Sequence, residues 1–145
     1  KNLCEKIDAK KTRTKSDYWV RNLYGNVAER YLSQQEGGWK TFAIELHVLR
    51  LGDVAIATNP FELFLDYGVQ IEARSPAVQT FLIQLAATGR QHAYYLPTPR
   101  AIAAGALNER PFTNYSATVM TSTVGPEGGQ VLVDRTVEAI QELWK

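Results

Sequence analysis

The side chain best placed for chemistry is Glu62, which follows directly after a short apolar run. Residues 54–58 have the sequence Val-Ala-Ile-Ala-Thr, which is typical of a buried strand, and Asn59-Pro60-Phe61-Glu62 comes next. Open α/β sheets place their sites at the carboxyl ends of strands, where a carboxylate could bind a ligand or transfer a proton. The same residues also match a helix capping box, with Asn59 as the cap and Glu62 at the third helical position. The residues alone leave both interpretations open.

A second set of candidates, His92, Tyr94 and Tyr95, follows a predicted strand and precedes a proline-containing segment. His92 lies three residues before Tyr95 in the same loop, which makes it the more interesting of the two histidines. In the alternative interpretation, His92 is a solvated loop residue and the tyrosine pair covers a sheet edge. His47 lies on the polar side of its predicted strand and is interpreted as a surface residue. The two histidines and Glu62 lack the spacing of a metal motif, so spacing alone does not predict a site.

The elements that position these residues follow from hydrophobic periodicity. Residues 42–51 alternate in polarity, Gly52-Asp53 is typical of a tight turn, and residues 54–58 complete a predicted hairpin. Residues 60–73 predict a helix, which connects by a crossover to a third strand at residues 80–86. The sequence therefore predicts an α/β fold, with a small mixed sheet (a hairpin plus a crossover strand) flanked by helices.

Further helices are predicted on both sides of this region. Residues 16–35 carry an apolar stripe at helical spacing, which is expected to pack, and Gly37-Gly38 ends that helix. A short helix is predicted to open at Thr98-Pro99. Residues 115–124 are rich in β-branched and hydroxyl side chains, which favours an extended or edge segment. An amphipathic helix is predicted after the glycine-rich residues 125–129.

Composition limits the functional classes. The chain has 145 residues, of which 45% are hydrophobic and 21% charged, with a formal net charge of +1. These values are typical of a folded domain, and we expect no nucleic-acid partner. No apolar run approaches the roughly 18 residues of a membrane helix, so no transmembrane segment is predicted. Cys4 is the single cysteine, which excludes an intrachain disulfide.

Basic residues are concentrated at the amino terminus. The first fifteen residues combine two acidic side chains, Glu5 and Asp8, with the basic residues Lys1, Lys6, Lys10, Lys11, Arg13 and Lys15. This pattern favours a solvated arm, and an anionic partner is the alternative. We therefore predict a basic arm and amphipathic helical lead-in over residues 1–40, followed by the α/β portion over residues 41–145.

Four motifs, LRLGDVAIATNPFELF, TFLIQLA, YYLPTP and STVGPEGG, occur in that order within residues 42–145. Their order resembles the neutral/alkaline ceramidase family, most closely its bacterial relatives. In that family a glutamate after the second strand and a tyrosine after the next strand bind zinc. The resemblance implies that Glu62 and Tyr95 are zinc ligands. Beside them, we take His92 as the candidate catalytic residue, in contact with the groups around the metal or with the substrate. It also implies that the chain is the carboxy-terminal portion of a catalytic domain.

The activity implied by the resemblance is zinc-dependent hydrolysis of N-acyl sphingoid lipids or related amides. The metal of such an enzyme activates water and polarises the amide carbonyl. The resemblance further implies an extracytoplasmic location and a lipid or other amide substrate.

The chain also departs from the family pattern. Phe61 stands where the family has glycine, and the segment after TFLIQLA is rewritten as ATGRQHAYY. The family's two histidine zinc ligands lie in an amino-terminal half to which nothing in this chain corresponds. This chain alone is therefore not expected to be active. The alternative hypothesis is a non-catalytic binding or self-association module on the same scaffold, which forms a homo-oligomer or pairs with a missing amino-terminal half.

Overall fold

The computed structural model divides the chain into two compact units, Lys1–Phe42 and Ala43–Lys145. Within these units the structure describes residues 2–38, 41–87, 93–106 and 114–145. In these four ranges, no helix is both long and apolar enough to cross a membrane.

The first unit contains helices α1 (Asn2–Asp8) and α2 (Lys15–Gln35), which pack against each other. Thr14 caps α2: its hydroxyl accepts a hydrogen bond from the Asp17 N–H at 3.2 Å, and the Asp17 carboxylate accepts one from the Thr14 N–H at 2.8 Å. The predicted helix is therefore confirmed, with a reciprocal capping box at its start. Its apolar stripe is not buried, because the seven-residue α1 is too short to cover a 21-residue helix.

The second unit is built on a three-stranded sheet in the order β1-β2-β4. The strands of this unit are β1 (Val48–Leu51), β2 (Val54–Thr58), β3 (Glu62–Leu63), β4 (Gln79–Ile83) and β5 (Tyr95–Leu96). Strands β1 and β2 form the predicted antiparallel hairpin, and Gly52 begins its turn at φ 61, a conformation that suits glycine. Strands β2 and β4 are parallel, so the predicted small mixed sheet of an α/β fold is confirmed.

Three helices, α3 (Leu65–Arg74), α4 (Pro99–Ala106) and α5 (Gly128–Glu142), belong to this unit. Helix α3 forms the crossover between β2 and β4, and α5 packs against α3 and the first two strands. The core lies where these helices meet the sheet, and it includes Ala55, Ala57, Tyr67, Ile71, Val133, Val137 and Ile140. Burying these side chains is the main stabilising contribution to this unit.

Two predicted extended segments are shorter in the structure than the sequence pattern indicated. The ladder of β1 begins at Val48, because its partner β2 ends at Thr58 and Pro60 has no N–H to continue it. Residues 115–124 form a 3-10 turn (Tyr115–Ala117) and further turns, with one isolated bridge from Ser122. The Thr121 hydroxyl bonds the Tyr115 carbonyl, and such local bonding competes with strand pairing.

One face of the three-stranded sheet carries large apolar side chains that the described residues leave exposed. Leu49, Ile56 and Phe81 are neighbours in register, so they share the face opposite Ala55 and Ala57. Leu49 is 58% exposed and Phe81 is 53% exposed, whereas the two alanines are buried. Helices α3 and α5 therefore cover only one side of this sheet.

The contact between α3 and α5 depends on glycine at position 129. A Cβ atom there would overlap the ring and hydroxyl of Tyr67, a buried residue whose hydroxyl donates to the Pro97 carbonyl at 3.2 Å. We expect Gly129→Ala to lower the free energy of unfolding by roughly 1–3 kcal/mol, because the side chain would force the helices apart. Urea denaturation measures this change.

The matched control is Gly68→Ala, which also adds one methyl group to a helix of this unit. Its nearest heavy atom would be Leu82 Cδ1 at 3.5 Å, an ordinary contact. Helix propensity then predicts a gain of up to about 1 kcal/mol. Equal effects of the two substitutions would contradict the proposed close approach at Gly129.

Candidate metal-binding site

Glu62 lies in strand β3 and does not begin a helix, so the capping-box prediction is wrong. The Asn59 side-chain oxygen accepts a hydrogen bond from the Phe61 N–H at 3.0 Å, which makes a local turn. The Glu62 N–H donates to the Tyr94 carbonyl at 2.9 Å. Helix α3 begins only at Leu65 and has no side-chain cap. The local helix signal is therefore overridden by pairing with a strand that is distant in the sequence.

This pairing brings Glu62 next to Tyr95. Strands β3 and β5 are parallel, and Glu62 and Tyr95 are partners in their register. The ladder is only two residues long, and it is extended when the Phe64 N–H donates to the Leu96 carbonyl at 3.3 Å. Partners in register project to the same face of a sheet. The two predicted site residues therefore lie side by side, just beyond the carboxyl end of β2.

Tyr115 completes the group. The Tyr95 hydroxyl donates to the Tyr115 hydroxyl at 3.3 Å, and the two rings meet edge to face with their centroids 5.5 Å apart. Sequence reasoning missed Tyr115 as a site residue, because it lies in a hydroxyl-rich segment with no motif of its own. It is placed by the 3-10 turn, whose fold depends on local threonine hydrogen bonds.

Hydrogen bonding to Tyr115, and then to the Glu62 carboxylate, raises the pKa of the Tyr95 phenol well above its usual value. A phenolate at Tyr95 would lose these bonds and would be repelled by the neighbouring carboxylate. Near neutral pH the Tyr95 hydroxyl is therefore a neutral donor. Its single proton can serve either Tyr115 or Glu62 at one time.

The segment after the 3-10 turn holds β5 from its other side. The Tyr95 N–H donates to the Thr121 carbonyl at 3.1 Å, and the Thr123 hydroxyl donates to the Ala93 carbonyl at 2.9 Å. Ser122 forms an isolated antiparallel bridge with Tyr94. The backbone of Tyr95 is therefore held both by β3 and by residues 121–123.

The group of Glu62, Tyr95 and Tyr115 would supply part of the ligand set of a metal ion. A carboxylate and a phenol that are register neighbours on one face of the ladder would suit two positions around one zinc ion, whose ligand oxygens lie roughly 3–4 Å apart. In the described ranges, this site included, no three His, Cys, Asp or Glu side chains are grouped closely enough to hold a metal ion. His92 lies outside the described residues. His47 is exposed beside Glu45, as a surface residue should be.

No protein-family model, no curated protein and no solved structure matches this chain. The ceramidase resemblance consequently stays a prediction.

The raised pKa of Tyr95 gives a pH prediction. We expect the Tyr95 phenol to ionise well above pH 10 in the native protein, and this step should be absent from Tyr95→Phe. In Tyr115→Phe and Glu62→Gln the same step should move to lower pH. Phenolate absorbance during an alkaline titration measures it. Because the folded pKa exceeds the unfolded one, these bonds stabilise the fold below about pH 10 and lose that effect as the pH rises further.

A matched control is Tyr94→Phe, which removes a neighbouring hydroxyl outside the group. This substitution should leave the Tyr95 step in place. If Tyr95 ionises with an ordinary pKa in the native protein, the hydrogen-bonded arrangement is contradicted.

Proposed function

We propose that this chain is the carboxy-terminal portion of a zinc-dependent amide hydrolase, in which Glu62 and Tyr95 are two of the zinc ligands. The observation that supports this most strongly is their pairing. Motif order alone assigned these two residues to one metal, and the register of β3 and β5 makes them neighbours on one face of the ladder.

The chemistry of the donor set fits half of such a site. Carboxylate and phenolate oxygens are hard ligands, and hydrolytic zinc sites use three protein ligands plus an open position for water. Bound zinc would supply an activated water and polarise the amide carbonyl. The remaining ligands, which the resemblance implies are histidines, would come from sequence upstream of this portion.

The chain's own residues would orient the site. The register of β3 and β5 fixes the backbone of both ligands. The Tyr115 ring packs edge to face against the Tyr95 ring, and the Tyr115 hydroxyl accepts a hydrogen bond from the Tyr95 hydroxyl. Ligands that are held before the metal arrives lose little conformational entropy on binding. Since the Tyr95 phenol is neutral near pH 7, zinc binding would release a proton and would strengthen as the pH rises.

The test uses the longer chain that includes the upstream sequence. We expect it to bind zinc and to hydrolyse an N-acyl sphingoid amide, and we expect Glu62→Ala and Tyr95→Phe each to weaken zinc binding at least tenfold. Calorimetric titration with zinc and an amide hydrolysis assay measure the two effects. Glu72→Ala, which removes an exposed carboxylate from α3, is the control and should change neither. A longer chain with neither bound zinc nor amidase activity would refute the proposal.

A second candidate function is self-association of a non-catalytic module, and the uncovered sheet face favours it. Leu49 in β1 and Phe81 in β4, on either side of Ile56 in the central strand β2, are exposed on that face. Contiguous apolar surface of this kind typically binds another surface.

Sedimentation velocity of the 145-residue chain separates the two candidates. Self-association predicts a concentration-dependent dimer that Phe81→Glu converts to monomer, because the introduced charge would be buried without a partner. Val69→Glu, which places the same charge at an exposed apolar position on α3, is the control. A clean monomer at all concentrations would exclude self-association.

A further inference from the structure

In the ranges that the structure describes, two non-glycine residues have a left-handed backbone conformation. Leu85 and Tyr94 both have φ 56. A residue with a Cβ atom is strained in this conformation, whereas glycine adopts it readily. Such strain is concentrated at functional sites in proteins, which makes these two positions candidates for a functional role.

Both strained residues hydrogen-bond to the same peptide group. The Leu85 N–H donates to the Phe61 carbonyl at 3.3 Å, and the Tyr94 carbonyl accepts from the Glu62 N–H at 2.9 Å. The Phe61 carbonyl and the Glu62 N–H belong to one peptide bond. That peptide is therefore held from both sides, once by the chain leaving β4 and once by the chain entering β5.

Burial of their own side chains does not account for the strain. Leu85 is 64% exposed and Tyr94 is 55% exposed, so neither gains much from the core. The β3–β5 ladder has only two residues in each strand, which by itself is a weak support for a ligand side chain. The consequence of the two left-handed residues is the fixed position of the Phe61–Glu62 peptide.

We propose that Leu85 and Tyr94 are positioning residues for Glu62. Their left-handed backbones clamp the Phe61–Glu62 peptide and thereby direct the Glu62 carboxylate at the Tyr95 hydroxyl. The chemical purpose of this arrangement rests on the proposed zinc site, but the positioning itself is a property of the metal-free chain.

The experiment compares glycine with valine at each strained position. Glycine permits positive φ, and β-branched valine strongly disfavours it. We expect Leu85→Gly and Tyr94→Gly to keep the wild-type Tyr95 ¹³Cζ resonance and the exchange rate of the Glu62 amide within about twofold. We expect Leu85→Val and Tyr94→Val to shift that resonance and to raise that exchange rate at least tenfold at pH 7. Leu49→Val, an exposed substitution in β1, is the control and should change neither.

Thermal denaturation gives a second readout that does not depend on folded valine variants. Relief of strain should make both glycine variants melt at least as high as the wild type, by up to a few degrees. Glycine variants that melt lower, or that disturb Glu62 as much as valine does, would overturn the proposal. So would valine variants in which the Glu62 amide and the Tyr95 resonance are unchanged.

Failure of this inference can be told apart from failure of the proposed function. If the longer chain binds zinc equally well with valine at positions 85 and 94, the positioning role is overturned and the zinc site remains. A longer chain that binds no zinc, combined with the expected exchange rates in the metal-free protein, would overturn the zinc site and leave the positioning role.

Discussion

The candidate site depends on one short piece of backbone pairing, the parallel ladder between β3 and β5. Its register places Glu62 beside Tyr95, although 32 residues separate them in the chain, counted from 63 to 94. This register brings the Glu62 carboxylate next to the Tyr95 phenol.

The rest of the fold stabilises that ladder from several directions. The Gln84 side chain accepts a hydrogen bond from the Leu63 N–H at 2.6 Å, and residues 121–123 hold the approach to Tyr95. Helix α5 packs across α3 and the hairpin, and Arg50 donates to the Leu143 carbonyl at 2.6 Å while stacking over Trp144. These contacts join the end of α5 to the sheet, so the loops beyond the strands start from a rigid support.

Hydrophobic periodicity predicted the parts of the fold in which local pattern and long-range packing agree. The hairpin at Gly52-Asp53, the crossover helix and the final helix all follow from residues that are close in sequence. The capping-box prediction at Asn59 was wrong because the Glu62 N–H is taken by the Tyr94 carbonyl, a partner that no local rule can reveal. Tyr115 was missed for a related reason, since its role comes only from contact with Tyr95.

In the proposed site, the Glu62 carboxylate and the Tyr95 hydroxyl converge on one zinc ion. A crystal structure of the longer chain grown with zinc, with anomalous scattering measured at the zinc edge, tests this most directly. If both residues bind one zinc ion, an anomalous peak is expected about 2.0–2.2 Å from an oxygen of each residue. Glu62 and Tyr95 side chains that point apart, with the anomalous peak elsewhere, would contradict it. Glu62 would then be a structural residue of β3 and Tyr95 a packing residue.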